Sequence, residues 1–123
     1  MAKLKSIVVD IDNTICTQTY GDYSKAEPFP ERIEIINDLY DKGNKIIYFT
    51  ARGMGRTDDD QVLAYAHCYE ETYNQLVSWG CKFHRLMLGK PYADYYIDDK
   101  ALEFGDDESR DRTLFLLERL LDE

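Results

Sequence analysis

The apolar run Ser6-Ile7-Val8-Val9 leads straight into two carboxylates, Asp10 and Asp12, two positions apart and followed by Asn13 and Thr14. A buried strand rarely ends that way for packing reasons alone. Alternate strand residues face the same side, so the two acids converge if the chain stays extended; a turn beginning near Asp12 would give them different jobs. Either arrangement points to metal or phosphoryl chemistry. Other reactive residue types recur after later apolar runs: Thr50 closes Lys45 to Thr50, Lys90 stands in Gly89-Lys90-Pro91, and Asp98-Asp99 follow Tyr95-Tyr96-Ile97.

Positioning these groups requires elements that end together. Leu4 to Asp10 reads as a strand buried on both faces. Ile15 to Pro30 has no sustained period and carries Gly21, Pro28 and Pro30, so it reads as a loop with a small hairpin around Tyr20 to Tyr23. A first helix runs from Pro30 to a stop at Gly43, with Ile33, Ile36, Leu39 and Tyr40 on one face. Lys45 to Thr50 is a second strand, and a long helix spans Asp60 to Trp79 with Leu63, Ala66, Tyr69 or Glu70, Tyr73, Leu76 and Val77 on its inner face. Phe83 to Leu88 makes a third strand, Tyr95 to Asp98 a short fourth, and Ser109 to Leu121 a final amphipathic helix carrying Leu114, Leu117, Leu120 and Leu121. Strands alternating with helices imply right-handed crossovers and an α/β fold with a central parallel sheet and helices on its faces. Asp10, Thr50, Lys90 and Asp98 then all fall at carboxyl ends of strands, the edge where open parallel sheets bind ligands.

The totals narrow the field. At 123 residues the chain fits a single domain, 1–123, with no room for a second. Fifteen Lys and Arg against 24 Asp and Glu give a net charge of -9, which argues against a nucleic-acid partner, since such binders use basic residues to release phosphate counterions. No apolar run approaches the roughly 20 residues that span a bilayer, and the N-terminus does not read as a signal peptide. Cys16, Cys68 and Cys81 show no metal-site spacing and read as free thiols in a reducing cytosol. The expected location is cytoplasmic, with no membrane partner.

The four motifs, in order, resemble the haloacid dehalogenase superfamily of phosphatases over about Lys5 to Leu102. Asp10, Asp12 and Thr14 match its DxDxT, Thr50 its second motif, Lys90 its third, and Asp98-Asp99 its acidic pair. Thr50-Ala51-Arg52, Gly89-Lys90-Pro91 and the run from Tyr96 to Ala101 are similar to the small phosphatases encoded with capsule and surface-polysaccharide genes. The resemblance implies a three-layer Rossmann-like fold with helices on both faces, no large cap domain, and residues 15–30 as a short insert. It also implies Mg²⁺ held by Asp10, Asp12 (through its backbone carbonyl), Asp98 and Asp99. In that pattern Asp10 is the nucleophile, Asp12 the general acid and base, Thr50 a hydrogen-bond donor to a phosphoryl oxygen, and Lys90 a stabiliser of transition-state charge. Asn13, Thr14, Ala51 and Arg52 would contact the substrate. A cation is physically apt there, because a carboxylate approaching a phosphate dianion meets repulsion of about 1–4 kcal/mol.

The expected substrate is a phosphorylated sugar or a related small metabolite. A phosphatase for nucleotides or polynucleotide ends is the alternative enzyme, and a non-catalytic phosphate-binding module the alternative of another class. Asp12 disfavours dehalogenation, whose enzymes lack the second acid. Arg52 and Arg56 reach either the substrate's remote part or solvent. His67 and His84 read as structural, most tyrosines as packing, and Tyr20 and Tyr23 as lining a cleft entrance or a contact between copies. A homo-oligomer is left open.

Overall fold

A computed structural model describes residues 4–104 and 107–122; Met1 to Lys3, part of the amino-terminal reading, lie outside them. Three parallel strands form one sheet in the order β1 (Ser6–Val9), β2 (Lys45–Thr50), β3 (Arg85–Leu88). Their register pairs Val9 with Tyr48 and Thr50 with Leu88. Helix α1 (Pro30–Asp41) joins β1 to β2 and α2 (Gln61–Ser78) joins β2 to β3. Because both crossovers step the same way across the sheet, right-handed connections put both helices on one face. Burial agrees: Val9, Ile46, Tyr48, Leu86 and Leu88 are buried, whereas Ile47, Phe49 and Met87 on the alternate face are half-buried and Val8 is 59% exposed.

Local chemistry sets the helix limits. Pro30 occupies the first turn of α1, where its missing N–H has no helical partner to lose, and Gly43 beyond the end adopts φ +100°. Asp60 caps α2 by accepting from the Leu63 N–H at 3.1 Å. The buried stripe of α2 is Ala64, Cys68, Thr72 and Leu76, so the expected inner face holds at Leu76 and in part at Tyr69, half-buried against the core; Leu63, Ala66, Tyr73 and Val77 are exposed. Apolarity misleads there because the helix turns Thr72 inward to meet a buried arginine. Helix α3 (Asp107–Asp122) packs on α1, burying Leu117 as expected.

The expected fourth strand does not form. Tyr95 to Asp98 is irregular and exposed, with Ile97 at 101%. The link from Gly89 to Asp94 contains no helix, and a parallel partner needs a crossover of about a dozen residues to return the chain to the start of the sheet. Strand-forming side chains alone gain nothing without a neighbour to pair with. The insert also differs from expectation. Instead of a hairpin at Tyr20 to Tyr23, the pairing sits lower, with the Thr17 N–H on the Glu27 carbonyl (2.9 Å) and the Phe29 N–H on the Ile15 carbonyl (2.8 Å). A short 3-10 turn, Tyr23–Lys25, closes it.

Candidate active site

After β1 the chain turns at once. The Thr14 and Ile15 N–H groups return to the Ile11 carbonyl at 3.1 and 2.9 Å, and Asn13 takes φ +61°, a left-handed conformation that asparagine tolerates well. The two acids therefore part company. Asp10 faces the carboxyl edge of the sheet, where Lys90 Nζ stands 3.5 Å from its Oδ1 and the Thr14 hydroxyl donates to its Oδ2 at 3.3 Å. Burial pushes the Asp10 carboxyl above its ordinary range, against the pull of the Lys90 ammonium and the Ile11 N–H. Lys90 also lies over the Tyr96 ring at 4.3 Å, and its N–H bonds the Thr50 carbonyl at 3.2 Å, tying the end of β3 to that of β2.

Asp12 turns the other way, onto Arg52. Arg52 Nε donates to Asp12 Oδ2 at 3.0 Å and Nη2 to Oδ1 at 2.9 Å, a bidentate pair. Nη1 serves Gln75 Oε1 at 2.7 Å and Thr72 Oγ1 at 3.3 Å, while Nη2 also points at Cys16 Sγ at 3.9 Å. All five guanidinium donors are thus aimed at protein acceptors. The Tyr23 ring lies against the guanidinium at 4.6 Å, and the Tyr23 hydroxyl accepts from the Gly53 N–H at 3.0 Å. Burial pulls the Arg52 pKa down, but the bonds and charge of Asp12 outweigh it, and the net shift is upward.

The sequence-selected residues divide accordingly. Asp10, Lys90 and Thr14 come together. Arg52, expected to touch substrate, is instead only 1% exposed and turned inward, because a residue so short of water needs the acceptors that Asp12, Thr72 and Gln75 supply. Thr50 is buried too, its Oγ1 accepting from the Arg52 N–H at 3.1 Å. Asn13 is exposed but spends its N–H on the Cys16 carbonyl, and the Ala51 carbonyl accepts from Met54. Arg56 bonds the Gly21 carbonyl at 2.9 Å and so braces the insert. Tyr23 anchors the insert from within, while Tyr20 stays in solvent. His84 is structural as read, its Nδ1 accepting from the Ile46 N–H at 3.1 Å. Thr72 and Gln75 were missed; a helix pattern scored by apolarity has no signal for polar residues that serve a buried cation.

Asp98 and Asp99 are exposed, and Asp98 caps the Lys100 N–H at 2.7 Å. Among the described residues no three His, Cys, Asp or Glu side chains are grouped to hold an ion. The oxygen donors suit Mg²⁺ chemically, but as placed the side chains do not converge: Asp10 faces Lys90 and Asp98 turns to its own backbone. A cleft of about 350 Å³ lined by Tyr40, Tyr73, Phe83 and His84 lies toward the amino end of β3, away from Asp10.

The features above define an α/β protein with a three-stranded parallel sheet and a charged group at its carboxyl edge. No family model and no curated protein matches the chain. Among solved structures, the crystal structure of a structural-genomics target from Vibrio cholerae superposes with a TM-score of 0.79 at 24% identity, covering 97% of this chain and 98% of that one. The likeness is one of fold. No helix among the described residues is long and apolar enough to cross a membrane.

Proposed function

We propose that this chain is a phosphomonoester hydrolase working through an aspartyl-phosphate at Asp10, with a fold of the haloacid dehalogenase type lacking a large cap, whose described crossover helices cover one face of the sheet where helices on both faces were expected. The observation that carries the reading is the Asp10–Lys90 pair: a half-buried carboxylate and an ammonium 3.5 Å apart, brought from the ends of β1 and β3 to the edge where parallel sheets bind ligands. In the reaction an Asp10 oxygen attacks phosphorus, the phosphorus–oxygen bond to the alcohol breaks with its electron pair, and the departing oxygen takes a proton, the role proposed for Asp12 in a protonated form that must first leave its pair with Arg52. Water then attacks the acyl phosphate, giving its proton to Asp12 and releasing phosphate and free Asp10. Lys90 supplies positive charge beside the nucleophile, and the Thr14 hydroxyl orients it.

Mg²⁺ belongs to the proposal as the expected cofactor, and it would screen the repulsion between Asp10 and a phosphate dianion. The donors do not converge as placed, so the steps above use only the side chains. The substrate is proposed to be a phosphorylated sugar or similar small metabolite, in keeping with the likeness of the Thr50 to Arg52 and Tyr96 to Ala101 runs to capsule-locus phosphatases. A phosphate-release screen across sugar phosphates, nucleotides and 3′-phosphorylated oligonucleotides, with Mg²⁺ present or chelated, tests the reading. Turnover of a sugar phosphate is expected, lost on chelation and in Asp10→Asn. Undiminished turnover in Asp10→Asn would overturn the mechanism, preferred turnover of an oligonucleotide would overturn the substrate class, and inactivity on every ester would favour a binding module.

A further inference from the structure

The aromatic cleft at the amino end of β3 has no part in the hydrolase reading, and it lies at the other end of the sheet from Asp10. We propose that it is a second binding site, for a small anion carrying a planar aromatic ring, of which a nucleoside monophosphate is the type. Its volume of about 350 Å³ suits one ring, being at the lower end of the roughly 300–1,000 Å³ common for small-molecule sites.

The walls supply aromatic surface. Tyr65, Tyr69 and Tyr73 recur every fourth residue along α2 and stack in sequence, with centroids 5.6 and 6.1 Å apart. Tyr73 ends that row at the cleft, 42% exposed, where Phe83 meets it edge-on at 5.6 Å. Tyr40, also lining the cleft, stacks on the His84 ring at 4.6 Å. Rings already held by one another offer a stacking surface at little entropic cost, and every base has a π-face to match.

Three polar groups there stand uncommitted. His84 Nδ1 accepts from the Ile46 N–H at 3.1 Å, so the neutral ring carries its proton on Nε2, a donor left for a ligand. Arg85 is exposed, and its side chain enters no ion pair or hydrogen bond among the described residues. Lys82 differs, its ammonium being held by Asp41 at 2.8 Å. In a chain of net charge -9, a free guanidinium beside aromatic rings favours an anion that the rest of the surface repels. Behind the lining groups Phe83 and Cys81, the Tyr48 hydroxyl is buried with no hydrogen-bond partner among the described residues. That hydroxyl bears a desolvation cost, which a ligand atom reaching it past Cys81 would relieve. The ring of the ligand then stacks at Tyr73 and Phe83, and its anion meets Arg85.

Isothermal titration calorimetry measures binding of AMP, GMP, CMP and UMP, with EDTA present to suppress the proposed hydrolysis, and then of the matching nucleoside and of ribose 5-phosphate. Saturable one-site binding of a monophosphate is expected, weakening with salt; the nucleoside should bind less tightly and without salt dependence, and ribose 5-phosphate least of all. Tyr73→Leu should weaken the monophosphate roughly 5–150-fold, the range found when a stacking aromatic is removed. Arg85→Gln should weaken the monophosphate at low salt and leave the nucleoside unchanged. Lys90→Met and Asp10→Asn, at the distant edge, should leave its Kd within about 2-fold. A thermal melt of each variant sets the titration where it is folded. Affinity lost in Lys90→Met and kept in Tyr73→Leu would put the ligand at Asp10 and overturn the proposal. So would ribose 5-phosphate binding as tightly as the monophosphate, or no saturable binding of any monophosphate at millimolar concentration, the tyrosine row then serving α2 alone. None of these outcomes depends on phosphate release, so the hydrolase reading stands or falls separately.

Discussion

Replacing Arg52 with Met keeps most of the side-chain volume and removes the guanidinium, which makes the Asp12–Arg52 pair a direct test of the interior described here. The Arg52 side chain has no exposure and that of Asp12 has 13%. Deleting one partner of a buried pair costs about 3–5 kcal/mol, because the charge left behind keeps its desolvation penalty. The sliver of exposure at Asp12 lets water reach it, so the lower part of that range, about 3–4 kcal/mol, is expected for Arg52→Met. At roughly 4 °C per kcal/mol for a chain of this size, the melting temperature should drop by about 12–16 °C. Asp12→Asn should cost at least as much, since it strands a cation that water cannot reach. The double variant should be less damaged than the sum of the singles, by at least about 1 kcal/mol. Urea unfolding followed by far-UV circular dichroism, with a thermal melt alongside, measures all three. Singles within about 0.5 kcal/mol of wild type, or strict additivity, would refute a desolvated, mutually dependent pair.

By contrast, the Lys82–Asp41 pair is exposed at both ends (48% and 53%), so Lys82→Ala should leave the urea midpoint nearly unchanged, with any difference shrinking in high salt. Gly53→Ala should be costly: at φ +81° the new Cβ would lie 2.9 Å from Cys68 Sγ and 3.1 Å from Ala64 Cα, and the strain and crowding together predict a loss of about 2–4 kcal/mol by urea midpoint. The fold should also weaken in alkali. Burial, then the Asp12 charge, pushes the Cys16 thiol up from 9.0 to about 12, and burial pushes Cys81 up to about 11. Between pH 9 and those values the unfolded chain has lost thiol protons that the folded chain keeps. Each thiol's contribution is therefore intact below pH 9 and falls by about 1.4 kcal/mol per pH unit above it. Urea midpoints from pH 8 to 11 should decline, less steeply in Cys16→Ala; a flat profile would count against thiol burial.

Hydrophobic period and breakers alone determined the three helices and three strands, because a parallel sheet covered by crossover helices needs those runs wherever it forms. They also placed Asp10 and Lys90 at strand ends, and parallel order then puts both on one edge. The division of labour between Asp10 and Asp12 was open in the sequence. Only the turn at Asn13 parts the two side chains, sending Asp10 to the carboxyl edge of the sheet beside Lys90 and Asp12 onto buried Arg52. The same limit explains Arg52, which reads as a cation for substrate or solvent because its burial depends on Thr72, Gln75 and Tyr23, residues distant along the chain that only folding gathers around it. It explains Tyr95 to Asp98 as well. Side-chain propensity marked a strand, but pairing is a property of the neighbour, and in this fold the connecting chain brings none to it.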